Sequence, residues 1–393
     1  MKPVVPLEFE YPYCMVLYWP HNHRFLVLNP AAAYIWNLLK AGLSTPVVIE
    51  AVQQDLPLEA AAIERIIDRF DVADEKPAFK NTVDYFVQHQ QRPPQEPPLA
   101  RWPLQLAGGG FTLSVYDQAL VGVAEELFGH LRSGDETPSL GELHVWRDGA
   151  HYLMRSSCER IAYRLDTIPR LGPFLNATAM QLSFLTNPDV DIAFHASAVQ
   201  RGKRLLLFFA QSGSGKSTLA AHFAHQGYKL LADDTLYFKM DPPHLLPVPT
   251  ASSLKANSYF FGRAHHPGFD QLHEFIQDVG GKGPVKYIPS PHPGRHPIPL
   301  ESLGDVTIIF PRYDADCTTA VRHLEPFEAL SGMQVDGFAV QNSDLTRESV
   351  DFFLSLLTSG HVYALDFCNL EQAQALLERH FPEATPDDAS SPI

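Results

Sequence analysis

The stretch at residues 205–218 reads LLLFFAQSGSGKST, and it decides how the larger part of the chain folds. Residues 205–209 form a continuous apolar run, which is typical of a strand buried on both faces. Residues 210–218 match a phosphate-binding loop, except that Ala210 stands where the pattern has its first glycine. Apolar side chains then recur at helical spacing as far as Gly227, where a helix can end. The order of strand, loop and helix predicts an α/β fold built around a phosphate site.

The loop carries the groups that bind a nucleotide phosphate. Gly213 and Gly215 allow backbone N–H groups to converge on phosphate oxygens, because a Cβ would block the approach or forbid the dihedral angles. Lys216 can reach the outer phosphates, and Ser217 offers a hydroxyl to Mg²⁺ at the positive end of the helix. The alternative is a glycine- and serine-rich turn that contains a lysine and binds nothing. The predicted nucleotide-binding residues are Ser212, Gly213, Ser214, Gly215, Lys216, Ser217 and Thr218.

Two adjacent carboxylates follow the next predicted strand. Residues 228–232 read as a short strand that ends at Asp233 and Asp234. In open parallel sheets, reactive groups collect at the carboxyl ends of the strands. One carboxylate can hold Mg²⁺ directly or through water, while the other accepts a proton from an incoming hydroxyl. The alternative is a pair that only ends a strand in solvent or caps a helix.

His195, the phosphate-binding loop and the aspartate pair stand in the order and approximate spacing of the HPr kinase/phosphorylase superfamily. This family consists of P-loop protein serine kinases related in fold to phosphoenolpyruvate carboxykinase, and residues 227–234, GYKLLADD, resemble its signature. The resemblance implies ATP and Mg²⁺ as cofactors and Asp233 as the base that activates a seryl hydroxyl. It also implies that Asp234 and His195 assist proton movement and metal binding, with Mg²⁺ held by Ser217 and Asp234. Taken alone, a histidine in this position is more often a packed core residue.

The region that follows the aspartate pair departs from this family. Bifunctional members carry there an arginine-glycine tract that ends in glutamate and is linked to the reverse phosphorolysis reaction. Here residues 255–262 read KANSYFFG and supply no carboxylate. The chain therefore resembles the kinase-only relatives found beside peptide-modifying enzymes, and we expect neither the reverse reaction nor the usual hexamer.

Basic residues elsewhere are candidates for a second cation at the phosphates. Lys282 and Lys286 lie in the glycine-rich turn at 280–286 and could clamp phosphate as charge develops. Arg312 directly follows a buried-strand candidate at 306–310 and could stabilise the transferring phosphoryl group as a catalytic residue. The alternatives are solvated loop lysines and an arginine in a surface ion pair.

The first part of the chain reads as a hairpin followed by closely spaced helices. Strands are predicted at 13–18 and 24–28, and the first helix begins with Asn29 as a cap and Pro30 at the first helical position. This part, and best of all residues 28–39, LNPAAAYIWNLL, resembles the PqqD-like winged-helix domain that binds leader peptides in ribosomal-peptide biosynthesis. An exposed hairpin edge can take up an extended peptide as an additional strand. The expected partner is a precursor peptide, and other peptide-modifying enzymes are possible further partners.

A winged helix used only for packing or dimer formation is the alternative for this part of the chain. A DNA-binding role is disfavoured because the third predicted helix is acidic, and the formal net charge of the whole chain is −15 with no basic stripe to offset it. Nucleic acid and anionic membranes are therefore not expected as partners. The cysteines are far apart in the sequence, and no apolar segment is long enough to span a membrane, so we expect a cytoplasmic protein.

The proline-rich segment that follows the predicted helices separates the expected domains. Residues 1–87 are assigned to the PqqD-like winged-helix domain and 88–103 to a linker. Residues 104–382 are assigned to the HPr kinase-like α/β domain, and 383–393 to a disordered tail.

The functional hypothesis is an ATP-dependent serine kinase that phosphorylates a ribosomally made precursor peptide. Tethering of the leader raises the effective concentration of the acceptor serine, so the catalytic site needs little selectivity of its own. Two alternatives remain open. One is a nucleotide-gated protein that binds and delivers peptide without catalysis, and the other is a kinase of a small-molecule hydroxyl. The sequence does not identify the acceptor, the nucleotide base, the oligomeric state, or whether the phosphate is a final modification or a leaving group.

Overall fold

The structure is a computed structural model that describes most of the chain. Within the described residues, the chain is a mixed α/β protein with several sheets. Ser212, Lys282, residues 88–90 of the predicted linker and the predicted tail at 383–393 lie outside the described residues. The described residues are 6–11, 13–22, 24–74, 91–134, 139–158, 163–211, 213–277, 283–303, 305–334, 338–340, 346–358 and 361–381.

The N-terminal unit is a three-stranded antiparallel sheet followed by helices, and the predicted hairpin and helices are confirmed. The side chain of Asn29 caps the first helix by accepting a hydrogen bond from the Ala32 backbone N–H at 2.9 Å. A strand that was not predicted from the sequence precedes the hairpin and pairs with it. The elements are β1 (Leu7–Tyr11), β2 (Cys14–Trp19), β3 (Arg24–Leu28), α1 (Pro30–Lys40), α2 (Thr45–Asp55) and α3 (Ala60–Asp74).

The central strand β2 is buried along its whole length because both faces of this small sheet are covered. Leu17 and Trp19 point into the core formed with α1, α2 and α3. Val16 and Tyr18 point the other way and share a core with Phe194 of the larger body. Alternate residues of a strand face opposite sides, so one strand contributes to two cores and attaches the N-terminal unit to the rest of the chain.

A five-stranded sheet with two helices comes next. Its first strand begins at Ala100, so the end of the linker predicted at residue 103 falls inside a strand. Leu104 and Leu106 of this strand are buried in the core of the layer, which accounts for the ordered structure next to the proline-rich segment. The elements are β4 (Ala100–Leu106), β5 (Gly109–Val115), α4 (Gln118–Phe128), β6 (Ser139–Asp148), β7 (His151–Ser156), β8 (Tyr163–Leu165) and α5 (Ile168–Thr186).

The remaining residues form a six-stranded sheet, two smaller sheets and five helices within the described ranges. The elements are β9 (Ile192–Phe194), β10 (Ala196–Arg201), β11 (Arg204–Phe209), α6 (Lys216–His225), β12 (Lys229–Ala232), β13 (Leu236–Met240), β14 (Pro243–Leu246), β15 (Ser252–Lys255), α7 (Tyr259–His265), β16 (Phe275–Gln277), β17 (Gly283–Ile288), β18 (Ile298–Pro299), β19 (Asp305–Tyr313), β20 (Ala320–His323), α8 (Pro326–Gln334), β21 (Phe338–Val340), α9 (Arg347–Thr358), β22 (Val362–Phe367) and α10 (Leu370–His380).

The six-stranded sheet has the order β12-β10-β11-β19-β22-β20. The strands β11, β19 and β22 are parallel, whereas β10 is antiparallel to both of its neighbours, β11 and β12. Every residue of β11 is buried, which confirms the prediction of a strand covered on both faces. Because β10 is antiparallel to each of them, β11 and β12 run the same way and their carboxyl ends lie at one edge of the sheet.

Candidate nucleotide-binding and catalytic site

The sheet topology brings the predicted site residues to one edge. The phosphate-binding loop follows β11, the aspartate pair follows β12, and His195 immediately precedes β10, which lies between those two strands. In the register, Ala196 of β10 pairs with Phe209 of β11, and Ala198 pairs with Ala232 of β12. All three segments therefore meet within the width of three strands, as expected from the strand ends in the sequence.

The loop has the backbone geometry that its glycines were expected to provide. Gly213 has φ +99° and Gly215 has φ +91°, both in the left-handed region that disfavours side chains. A Cβ on Gly215 would lie 2.8 Å from Cζ of Phe367, so this position also requires glycine for close packing. The Ser214 carbonyl accepts a hydrogen bond from the Tyr313 backbone N–H at 2.9 Å, which fixes the loop against the end of β19.

The side chains of the loop point toward a cavity at the start of α6. Lys216 Nζ donates to the Ala210 carbonyl at 2.8 Å, so the residue that departs from the loop pattern contributes through its backbone. Ser217 and Thr218 line the cavity, and Thr218 Oγ1 donates to Ser258 Oγ at 2.9 Å. The predicted residue Ser212 lies outside the described residues.

Asp233 is buried, with only 1% of its surface exposed. Its Oδ2 accepts a hydrogen bond from the Ser253 backbone N–H at 3.1 Å, and its Oδ1 has no hydrogen-bond partner among the described residues. The pKa of Asp233 is raised to about 7, chiefly by burial and also by the charge of Asp234, while Ser253, Lys216 and Ser217 act in the opposite direction. The influence of Lys216 and Ser217 on this carboxyl group places Asp233 beside the first turn of α6.

Asp234 points the other way, into the cavity. Its side chain is 41% exposed, and Asp234 Oδ1 lies 3.3 Å from His195 Nδ1. Both residues line the cavity together with the loop. The hydrogen-bonding distance between imidazole and carboxylate lets the pair share a proton, which is the chemistry expected of an acid–base site.

The cavity has a volume of about 250 Å³ and runs past the loop from the aspartate end to α7 and α10. Oxygen ligands suited to Mg²⁺ lie at its first part, where the Ser217 hydroxyl and the Asp234 carboxylate line the cavity and the Asp233 carboxylate is buried beside Ser217. Mg²⁺ usually takes only one or two protein carboxylates and completes its shell with phosphate and water. The residues present therefore fit a nucleotide bound with Mg²⁺.

Lys255 is a cavity residue that was not predicted from the sequence to belong to the site. It ends β15 and lines the cavity, and its Nζ lies 3.8 Å from the position that a Cβ on Gly213 would occupy. Its ammonium group thus stands next to the loop backbone that would bind phosphate. No local residue pattern marks this position, because β15 reaches the loop only through the tertiary fold.

Among the described residues, two other cations predicted from the sequence, Arg312 and Lys286, do not line the cavity. Arg312 Nε lies 2.7 Å from Asp366 Oδ1 in an ion pair, the arginine side chain is 68% exposed, and it does not line the cavity. Lys286 is buried, and its Nζ donates to the carbonyls of Phe269 and Asp270, each at 3.1 Å. Lys282 lies outside the described residues. Lys255 is therefore a better candidate than Arg312 or Lys286 for the second cation.

Comparisons with known proteins leave the function open. No family model matches the sequence, and no curated protein matches it. Among solved structures, the chain is similar to the Hpr(Ser) kinase/phosphatase from Coxiella burnetii, at 12% sequence identity over 48% of this chain and 95% of that chain, with a TM-score of 0.20. A likeness of this size carries no functional argument, so the chemistry of the site has to indicate the function.

None of the helices in the described part of the chain combines the length and apolar character that crossing a membrane requires. The described residues also contain no group of three or more His, Cys, Asp or Glu side chains placed to hold a metal ion.

Proposed function

We propose that the protein is an ATP-dependent kinase that phosphorylates a hydroxyl group, with a serine of a ribosomally made precursor peptide as its acceptor. The observation that carries this proposal is the position of the Asp234–His195 pair in the same cavity as Lys216 and Ser217. A phosphate-binding loop alone fits any nucleotide-binding protein. An exposed carboxylate facing that loop adds a group that can take a proton from an attacking hydroxyl.

The phosphates are bound by loop N–H groups, by Lys216 and by Lys255. The glycine backbone permits the close approach of phosphate oxygens, and the N-terminus of α6 favours negative charge at the same place. Both lysines line the cavity beside the loop, so two cations can stabilise the charge of the transferring phosphoryl group. Mg²⁺, when bound, supplies further neutralisation of the phosphate charge.

The geometry favours roles for the two aspartates that are the reverse of those the family resemblance implied. Asp233 is buried beside Ser217, so these two residues are best placed to hold Mg²⁺, directly or through water. Asp234 is open to the cavity and lies next to His195, so an entering hydroxyl can reach it. We therefore assign Asp234 as the proton acceptor, with His195 orienting it.

Phosphoryl transfer then proceeds as a displacement in line with the leaving group. The acceptor hydroxyl gives its proton to Asp234 while its oxygen forms a bond to the γ-phosphorus. The bond from that phosphorus to the β,γ-bridging oxygen breaks, and ADP leaves with the electron pair. His195 stabilises the carboxyl group that has gained the proton.

The N-terminal unit is the proposed binding site for the leader of the precursor peptide. The Glu8 carbonyl of β1 accepts a hydrogen bond from Arg347 Nη2 of α9 at 2.6 Å, so one edge of the small sheet is already in contact with the larger body. The strand β3 forms the other edge and also packs against the larger body through Phe25 and Val27. We propose that an extended leader adds along β3 as a further strand.

The test is to incubate the full chain with Mg·ATP and the precursor peptide encoded beside it, and to measure the intact mass of the peptide. We expect a gain of one phosphate group, at a rate that falls roughly 100-fold or more in Asp234→Asn. Asp189→Asn is the matched control, because Asp189 forms an exposed ion pair with Lys239 and neither residue lines the cavity. An unchanged mass with every candidate precursor would count against the proposal.

A second candidate keeps phosphoryl transfer and replaces the peptide by a small molecule that carries a hydroxyl group. The observation that favours it is the burial of Val16 and Tyr18 in the core of the larger body, which is what a purely structural N-terminal unit would show. Affinity of the full chain for the isolated leader segment separates the two candidates, since only the peptide kinase should bind it.

A further inference from the structure

The strand order indicates in which direction the bound nucleotide extends across the edge of the sheet. The aspartate pair follows β12 at one end of the sheet, and Cys368, Asn369 and Leu370 follow β22 on the far side of β11. Four strand spacings separate β12 from β22, or about 19 Å. The loop lies between them. Because the phosphate to be transferred must face Asp234, the rest of the nucleotide must extend toward β22 and the start of α10.

The far part of the cavity is a cleft between α7 and α10, and both walls are tied to α6. Ser258, just before α7, accepts a hydrogen bond from Thr218 Oγ1 at 2.9 Å. In α10, Gln374 Oε1 lies 2.8 Å from His222 Nε2 of α6. Since the first turn of α6 is the phosphate site, these contacts fix the cleft relative to the phosphates before any ligand binds.

The cleft has the chemistry of a nucleobase site. Phe260 of α7 lines the cavity and is 63% exposed, whereas its neighbour Phe261 is buried. An exposed phenylalanine on a cavity wall is a surface on which a base can stack. Glu371, in the first turn of α10, lines the same cleft and carries a carboxylate that can only accept hydrogen bonds when ionised. A carboxylate there suits an amino group on the base.

We infer that the cleft between α7 and α10 binds the adenine of ATP, which stacks on Phe260 and gives the hydrogens of its 6-amino group to Glu371. This inference rests on the proposed function, because it takes the phosphate positions from the proposed direction of transfer. Inosine triphosphate carries a carbonyl oxygen in place of the amino group. This oxygen and the Glu371 carboxylate are both hydrogen-bond acceptors, so the hydrogen bond is lost.

The test measures binding of Mg·ATP, Mg·inosine triphosphate, Mg·guanosine triphosphate and inorganic triphosphate to the full chain by calorimetry. Phe260→Ala should raise the Kd for ATP roughly tenfold or more, because stacking is lost, and should leave the Kd for inorganic triphosphate unchanged. The wild-type chain should prefer ATP to inosine triphosphate by roughly tenfold, and Glu371→Gln should bring that ratio close to one. Leu185→Ala and Glu301→Gln are matched controls at exposed positions outside the cavity, and both should bind as the wild type does.

Several outcomes would overturn the inference. Phe260→Ala could leave ATP binding intact, or it could weaken ATP and inorganic triphosphate equally; either result would place the base elsewhere. Equal affinity of the wild-type chain for ATP and inosine triphosphate, or tighter binding of guanosine triphosphate, would overturn the contact with Glu371. If the wild-type chain bound neither nucleotide nor triphosphate, the proposed function itself would fail at its first step, and this inference would fail with it.

Discussion

At the scale of single residues, the function of the site depends on which way each charged side chain points. Asp233 and Asp234 are adjacent, yet one is buried beside Ser217 and the other faces the cavity. Neighbouring side chains at a strand end point to opposite sides, so the division follows from the backbone. The pair and its place at the sheet edge could be predicted from the sequence, but the pattern contains no information about which member faces inward.

Lys255 and Arg312 show that the sequence also did not identify which cation, besides Lys216, faces the phosphate site. Arg312 was a candidate in the sequence because it follows a strand, and the structure places it in an exposed ion pair with Asp366. Lys255 lies at the end of a different strand and approaches the loop from another sheet. The contact depends on how two sheets pack, which local residue patterns do not encode.

We predict that Lys255→Met lowers kcat/KM for ATP by roughly 10- to 100-fold, because one of the two lysines facing the phosphates is lost. Lys255→Arg should retain more of the activity, since the charge stays. Lys239→Met is the control, because Lys239 forms an ion pair with Asp189 outside the cavity. Steady-state kinetics with varied ATP would check the effect, and a Lys255→Met variant with unchanged kinetics would remove Lys255 from the site.

We predict that His130 makes the protein less stable as the pH falls from about 6.5 to about 4. Burial lowers the pKa of His130 to about 4, while an unfolded chain binds the proton near 6.5. The Nε2–H group donates to the Pro249 carbonyl at 2.9 Å, and Nδ1 is buried without a hydrogen-bond partner among the described residues. The charge of Arg295 contributes to this lowered pKa, whereas the hydrogen bond to Pro249 acts in the opposite direction. In this window the unfolded state binds more protons than the folded state, so protonation favours unfolding.

The measurement is the free energy of unfolding in urea as a function of pH for the wild type and for His130→Gln. The difference between the two curves isolates this histidine, and it should change by up to about 3 kcal/mol across the window, with the stability contribution of His130 intact above pH 6.5. Parallel curves would show that His130 does not titrate in this way.

At the scale of secondary structure elements, the unit of strand, loop and helix was predictable because each of its parts has its own signal. The apolar run, the glycines and the helical spacing agree with β11, the loop and α6. The strands β1 and β4 were missed. Each is half-buried over much of its length and lies next to proline residues, so neither shows the continuous apolar run that marked β11.

We predict that Gly215→Ala abolishes measurable nucleotide binding and destabilises the chain. The new Cβ would lie 2.8 Å from Phe367 Cζ and would add the strain of a side chain at φ +91°. The strain alone is worth about 1–2 kcal/mol. Gly227→Ala is the matched control, because Gly227 has φ +88° but a Cβ added there would meet no atom within 4 Å, so this variant should show the strain without the clash. Thermal unfolding and calorimetry with Mg·ATP would distinguish the two effects, and equal behaviour of the two variants would contradict the prediction.

At the scale of the whole molecule, the N-terminal unit and the larger body share a hydrophobic core. Val16 and Tyr18 of β2 pack into the core that contains Phe194, and Phe194 stacks on Phe353 of α9 with ring centroids 4.3 Å apart. Phe194 directly precedes His195 of the candidate site. The sequence suggested two separate units joined by a linker. The proline-rich segment can be recognised from its composition, whereas the shared core forms only through tertiary contacts that no local pattern encodes.

We predict that Val16→Ala lowers the free energy of unfolding of the whole chain by on the order of 2 kcal/mol, because a fully buried side chain is truncated. The unfolding curve should remain a single transition, since the affected core belongs to both parts. Val47→Ala is the matched control at a position that is 45% exposed, and it should change stability by less than about 0.5 kcal/mol. Loss of only the N-terminal helices in a separate early transition would contradict a shared core.

The double role of β2 also bears on how the protein can be divided for experiments. Cutting the chain in the proline-rich segment and separating the fragments would expose Phe194 and its neighbours to solvent on one fragment. It would expose Val16 and Tyr18 on the other fragment. Each fragment alone would have an exposed apolar surface that promotes aggregation, so it should be poorly soluble. When the two fragments are co-expressed in one cell, they should associate through the shared core and form a soluble complex.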